Sequence, residues 1–306
     1  MIRNEKDRDL LRQLPGLTVA MATPLDDSGD LDVDALCRLT DHLIAEGAAS
    51  IFALGWMGEQ PALTDLIRKD VMTEVVRRVD GRVPVIAGVS EQSLPRALAE
   101  AEHAHEAGVD IVLATAPYSY QLPLNVIIDY FTDFAAASPL PLILYNNSEA
   151  HIPLPPDAVQ SISQVPGMIG IKDFSDFLQL QRLLAKVNRD EDFIVLAAEE
   201  CILGPALFLG AKFSMLGGPG NMVPGWAVRM HQHANAGEWS DVARLHMKLV
   251  DFCDTLYSLA DSPYSTVKSA LATLGFGSGR CVPPIPSMDA AGDKRVREVL
   301  RRFEVI

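Results

Sequence analysis

The 306-residue chain predicts an α/β fold, a closed (β/α)8 barrel with a C-terminal helical segment, and three observations carry that expectation. Eight short apolar runs are spaced through residues 17–216. Between them lie longer stretches whose apolar residues recur every three or four positions, the period of a helix with one buried face. Three helix-to-strand junctions also repeat one chemistry, a helical stretch ending in glycine before an apolar run, at Gly47, Gly108 and Gly210. A left-handed cap costs glycine little, so each residue turns the chain from helix into strand.

The expected strands are, in order, Leu17 to Met21, Ser50 to Leu54, Val83 to Ala87, Asp110 to Ala114, Pro141 to Tyr145, Met168 to Ile171, Phe193 to Ala197 and Lys212 to Leu216. Runs this apolar in both phases are buried on both faces, as in a parallel sheet covered by helices. Helices are expected over Asp32 to Glu46, Leu66 to Val79, Leu94 to Ala107 and Asn125 to Ala136. The alternation is the βαβα order of a parallel sheet. The rival is an open doubly wound sheet, but eight units run in one unbroken series and the first strand lacks a GxGxxG turn. Beyond the eighth strand, Pro224 to Ala236, Trp239 to Ser258, Ser262 to Leu274 and Asp289 to Phe303 are helical by period. The division expected is a barrel with a short N-terminal extension over 1–236 and a helical segment packed on it over 237–306.

A net charge of −14, with no stretch dominated by Lys or Arg, argues against nucleic acid or anionic lipid and leaves a small molecule as the expected partner. Four scattered cysteines (Cys37, Cys201, Cys253 and Cys281) form no CxxC pair and fit reduced thiols in a cytoplasmic compartment. The N-terminal stretch Met1 to Gln13 is charged and lacks the apolar run of a signal peptide, so a soluble, unprocessed chain is expected. The histidines give no metal spacing: His103 with His105 and His231 with His233 are two apart on helices and there is no HExxH.

In such a barrel the active site lies where strands end and loops toward helices begin. Lys172 closes the apolar run Gly167-Met168-Ile169-Gly170-Ile171, where a long cation is costly to desolvate. Burial depresses an amine's pKa, and a neutral amine attacks a carbonyl to form an iminium that withdraws electrons from the adjacent carbon. Spacing alone leaves open a lysine that reaches solvent or pairs with Asp173. Tyr145, one unit earlier, is placed to relay protons beside Lys172, or to cap a backbone carbonyl. Gly55-Trp56-Met57-Gly58-Glu59 presents backbone N–H groups that suit a carboxylate, though glycine also serves a tight turn and Glu59 a buried structural acid. Gly217-Gly218-Pro219-Gly220 has the look of a phosphate loop but lacks a neighbouring cation, and is read as pocket lining.

Together these motifs resemble the dihydrodipicolinate synthase / N-acetylneuraminate lyase family: GxxGE at strand two, Pro117-Tyr118 at strand four, Tyr145-Asn146 at strand five and Gly170-Ile171-Lys172-Asp173 at strand six. The likeness continues through Glu199-Glu200, Asn221-Met222-Val223-Pro224, Lys268-Ser269-Ala270-Leu271 and Arg280-Cys281-Val282-Pro283. The resemblance implies Lys172 as the Schiff-base residue, Tyr145 as proton relay, and the Trp56 and Met57 backbone as the carboxylate anchor, with Gly58 also expected to bind substrate. Tyr118, Asn147, Gly217 and Gly218 are expected to contact substrate, with Ser119, Tyr120, Glu149 and His151 as accessory candidates. No cofactor or metal is implied, and a homo-oligomer, a tetramer or dimer, is.

Departures from the family pattern bear on the substrate. Trp56 and Met57 stand where the synthases carry hydroxyl residues, and Ser119 replaces a second tyrosine, with Tyr120 one place on. Ala150 stands where an arginine would hold the carboxylate of the synthases' aldehyde substrate. The function expected is a class I lyase or aldolase forming a Schiff base between Lys172 and pyruvate or another 2-oxo acid, with carbon–carbon cleavage or condensation. The alternatives are an imine-based dehydratase or deaminase of a sugar-acid or hydroxyproline-derived 2-oxo acid, dihydrodipicolinate synthase itself, and a non-catalytic 2-oxo-acid-binding barrel.

Overall fold

A computed structural model describes residues 4–147, 154–188 and 192–306. The strands are β1 (Gly16–Ala20), β2 (Ser50–Ala53), β3 (Val85–Gly88), β4 (Ile111–Thr115), β5 (Leu142–Asn147), β6 (Met168–Phe174), β7 (Ile194–Ala197) and β8 (Phe213–Leu216). All pair in parallel with their sequence neighbours, and β1 closes on β8, so the sheet is a barrel and not an open doubly wound layer. Helices α1 (Glu5–Gln13), α2 (Val33–Ala45), α3 (Asp65–Val79), α4 (Leu94–Ala107), α5 (Leu124–Ala137), α6 (Pro156–Ile162), α7 (Phe177–Val187) and α8 (Leu203–Phe208) precede or separate the strands. After β8 come α9 (Gly218–Met222), α10 (Pro224–Ala236), α11 (Trp239–Tyr257), α12 (Pro263–Thr273) and α13 (Ala290–Arg302). Gly47, Gly108 and Gly210 have φ of +94°, +87° and +86°, the left-handed caps expected of them.

Two apolar clusters follow from the two-residue period of the strands. One phase, with Val19, Ile51, Val112, Leu144 and Ile171, faces the helices. The other, with Phe52, Ile111, Leu113, Ile143, Ile194, Leu196, Phe213 and Met215, fills the barrel. Leu10, Leu11 and Leu14 join this inner cluster, so the charged N-terminal stretch is not a plain extension. Its helix starts at Asn4, whose side chain accepts from the Asp7 N–H at 3.0 Å, and carries its few leucines inward. Three apolar residues among many charges gave little periodic signal for that helix. Leu249, Phe252 and Leu256 of α11 share the outer cluster with the barrel, which brings this helix over the rim. Among the described residues no helix is long and apolar enough to cross a membrane.

Candidate active site

Tyr145 and Lys172 are direct partners in the β5–β6 ladder, and Lys172 pairs with Leu196 of β7. The inward phase therefore sets the amine and the phenol ring side by side above the apolar barrel. Gly170 has no space for a side chain, since a Cβ there would lie 2.7 Å from Ile194 Cγ1. That close approach packs Ile194 against the β6 backbone two residues before Lys172. Lys172 is 6% exposed, with Nζ 3.7 Å from the Tyr145 ring centroid and 5.6 Å from that of Phe52. Among the described residues no carboxylate lies within 4.0 Å of Nζ. Burial pulls this amine down to about 7, and the more distant Glu200 carboxylate raises it in part.

Both bland readings of Lys172 fail on this geometry. The side chain does not reach solvent, and Asp173 points to the opposite phase, where it accepts from Asn146 Nδ2 at 2.8 Å and Ser175 Oγ at 2.5 Å. Burial raises that carboxyl to about 6, against the lowering effect of its two donors. Asn146 in turn accepts from the Leu154 N–H at 2.9 Å, leaving Asn147, 1% exposed, at the cavity wall.

A cavity of about 270 Å³ opens above Lys172, walled by Trp56, Met57, Tyr145, Asn147, Phe174 and Gly217 on the barrel side. The anchor loop behind Trp56 and Met57 is strained at both ends, with Leu54 and Glu59 at φ of 58° and 57°. Thr23 Oγ1 donates to the Gly58 carbonyl at 2.8 Å, and Glu59 N–H to that of Trp56 at 2.9 Å. Among the described residues no hydrogen bond uses the Met57 N–H, so it is available to an anion. The Trp56 indole N–H is buried and likewise has no partner there. Glu59 is a structural acid. Its oxygens accept from Lys268 Nζ at 2.7 Å and the Val282 N–H at 2.6 Å, tying the loop to the C-terminal segment.

Other expected residues lie apart from the cavity. Tyr118 packs edge-on against Trp56, centroids 6.0 Å apart, and so touches the pocket through that ring. Ser119 and Tyr120 are exposed, Tyr120 by 67%, and line no part of the cavity. Gly218 stands behind the wall: a side chain there would strike the Tyr257 hydroxyl. Glu149 and His151 lie outside the described residues, as does Ala150.

Sequence reasoning missed the opposite wall. Glu199 and Glu200 after β7, Cys253, Asp254 and Tyr257 of α11, and Tyr264 of α12 close the cavity. Glu199 and Glu200 were visible as a strand-end pair; the helical residues sit on a face whose period says only that it is buried. Burial raises Glu200 to about 7, with Glu199 adding to the rise and Lys172 opposing it. Burial also holds the Tyr257 phenol and the Cys253 thiol, neighbours on the cavity wall, well above their ordinary ranges.

A buried amine beside a phenol ring at the carboxyl end of β6 is set in the class I aldolase and lyase barrel. Residues 13–303 match the model of the dihydrodipicolinate synthetase family, and the chain belongs to that family of lyases. The 4-hydroxy-tetrahydrodipicolinate synthase of Methanoculleus marisnigri is 30% identical over 289 residues, covering 93% of this chain and 98% of the relative. The solved dihydrodipicolinate synthase of Bacteroides thetaiotaomicron is 30% identical, with a TM-score of 0.89 over 94% of this chain and 98% of its own. YagE, a prophage protein of the family from E. coli K12 solved in complex with pyruvate, is 26% identical with a TM-score of 0.89, over 95% and 99% of the two chains.

Proposed function

We propose that this protein is a class I lyase or aldolase that forms a Schiff base between Lys172 and pyruvate or another 2-oxo acid, then cleaves or makes a carbon–carbon bond beyond the carbonyl. The observation that carries the reading is the buried Lys172 amine, drawn down to about 7 and open to a cavity. A largely neutral amine at physiological pH is a competent nucleophile, whereas an ordinary lysine is almost wholly protonated. The Met57 N–H supplies the donor that a 2-oxo acid's carboxylate needs, and Tyr145 the phenol beside the imine carbon. Pyruvate is favoured as the 2-oxo acid because YagE, of the same architecture, was solved with it.

The second half of the substrate is expected to lack a carboxylate. Lys172 is the sole cation among the described lining residues, while Glu199, Glu200 and Asp254 line the same space. An aldehyde bearing an anion would meet three acids and no arginine, which weighs against dihydrodipicolinate synthase itself. A hydroxylated or aromatic aldehyde fits better, with Trp56 as an apolar wall. The enzyme would act in the cytoplasm with no cofactor. Assembly as a homo-oligomer would cover Leu178, Phe208 and Trp239, exposed by 61%, 69% and 40%.

Borohydride reduction in the presence of pyruvate should fix a stable three-carbon adduct on Lys172, read by peptide mass, and Lys172→Ala should abolish both adduct and pyruvate-releasing turnover. An adduct on another lysine, or full activity in the variant, overturns the assignment.

A further inference from the structure

We propose that Asn146 and Asp173 are a positioning pair for the reaction, a buried side-chain clasp that holds the Tyr145 phenol against the Lys172 amine and so sets the rate of imine formation. The inference rests on the Schiff-base reading above and adds two residues to it, neither of which lines the cavity.

The place of the pair follows from the ladder. Tyr145 stands opposite Lys172, Asn146 opposite Asp173 and Asn147 opposite Phe174. Each member of the pair therefore comes one residue after a reacting group and points the other way, toward the helices. Two residues earlier on the same strands that outward phase is apolar, at Leu144 and Ile171. At Asn146 and Asp173 it turns polar, with both residues 0% exposed. An apolar pair would fill these positions without desolvating an amide and a carboxyl, so packing by itself does not account for them.

Their contacts tie the tops of both strands to the following helix. Asn146 Nδ2 donates to Asp173 Oδ1 at 2.8 Å, from strand to strand. Asn146 Oδ1 accepts from the Leu154 N–H at 2.9 Å, and the Leu154 carbonyl accepts from Gln179 Nε2 of α7 at 2.8 Å. On the other side Ser175 Oγ donates to Asp173 Oδ2 at 2.5 Å, and the Asp173 carbonyl accepts from the Ala198 N–H at 3.1 Å. The clasp joins β5, β6 and the start of α7 directly behind the amine and the phenol.

The alignment of these two strands needs such a pin. Leu142 pairs with Met168 but Ile143 with Gly170, which leaves Ile169 as an extra residue; among the described residues no other strand pair of the barrel shifts in this way. A bulge interrupts the ladder locally, and a slip of one residue above it would turn Lys172 from the barrel to the helices. Backbone pairing tolerates either alignment, whereas the amide meets the carboxyl in only one. That alignment leaves Lys172 Nζ 3.7 Å from the Tyr145 ring centroid. A phenol that relays protons beside an attacking amine has to be held at such a range, and a displacement of about 1 Å costs on the order of a hundredfold in rate.

The test is the rate of borohydride-trapped pyruvate adduct on Lys172 as pyruvate is varied, for the wild type, Asn146→Asp, the exchanged pair Asn146→Asp with Asp173→Asn, and Ser175→Ala. Asn146→Asp removes the donor and sets two carboxyls face to face, and its rate at saturating pyruvate should fall about ten- to a hundredfold. Its half-saturating pyruvate concentration should stay within about twofold of the wild type, because the Met57 N–H belongs to the loop after β2. The exchanged pair keeps each hydrogen bond with donor and acceptor reversed, and should return the rate to within about threefold of the wild type. Ser175→Ala, at a half-buried position, loses only the hydroxyl that orients Asp173 and should slow trapping about threefold. It decides the matter if Asn146→Asp does not fold, since a wild-type rate in Ser175→Ala then overturns the proposal. So does a folded Asn146→Asp with the wild-type rate, an exchanged pair no faster than Asn146→Asp, or a raised half-saturating concentration with an unchanged limiting rate. If the wild type forms adduct and the variants match it, the Schiff-base reading survives and this inference does not; no adduct in the wild type removes both.

Discussion

Lys268 and Lys172 are both buried, 3% and 6% exposed, and their surroundings are opposite. Lys268 donates to Glu59 at 2.7 Å and to the Thr23 carbonyl at 2.5 Å, so its charge is met on two sides. Lys172 faces aromatic rings and a cavity, with no carboxylate among the described residues inside 4.0 Å. Burial by itself does not make an amine reactive. What decides is whether the protein gives the cation a partner or withholds one: a partnered lysine holds the C-terminal segment to the anchor loop, and an unpartnered one is released toward the neutral, nucleophilic form.

The comparison is broken most severely by removing the partner. Glu59→Ala strands the Lys268 charge in the interior and should cost about 3–5 kcal/mol in urea denaturation. The double variant Glu59→Leu with Lys268→Met should recover most of that loss. Equal destabilisation by both would mean that the contact with the Val282 N–H, and not the ion pair, holds the segment.

Lys172→Met should act in the other direction, raising stability by about 0.5–2 kcal/mol because an uncompensated amine is replaced by an apolar chain. The pH dependence has a definite sign. The amine's pKa is about 7 when folded and higher when unfolded, so between these values the unfolded chain binds more protons and wild-type stability rises with pH. The advantage of Lys172→Met should therefore be widest at pH 7 and below and shrink toward pH 10. A gap independent of pH would show that Lys172 carries no burial penalty.

An exposed pair sharpens the contrast at the small end. Arg302 and Asp251 approach to 3.1 Å with side chains 59% and 56% exposed. Asp251→Asn should leave the urea midpoint where it was, since solvent already screens both charges. A loss comparable to that of Glu59→Ala would undo the claim that burial sets the value of the partner.

The barrel, its eight strands and the Lys172–Tyr145 pair were legible in the chain because each depends on local pattern. Two-residue alternation, helical period and glycine caps repeat every few residues, and adjacent strands of a parallel barrel place their end residues side by side whatever the loops do. The acidic and phenolic wall was not legible. Glu200, Asp254, Tyr257 and Tyr264 come from three elements spread over residues 200–264, and their convergence depends on how α11 crosses the rim. The same holds for Tyr120, whose spacing after Pro117 suggested the pocket and whose side chain points to solvent.

By itself the sequence determined the fold, the family and the place of the amine, since a lysine near the end of an apolar barrel strand is carried into the interior with its strand. Only the tertiary structure decided which lysine is met by a carboxylate, which acids line the cavity with the amine, and that the cavity's single described cation is Lys172. The physical reason is range: hydrophobic period acts between neighbours along the chain, whereas desolvation and charge pairing depend on groups that meet only once the barrel has closed.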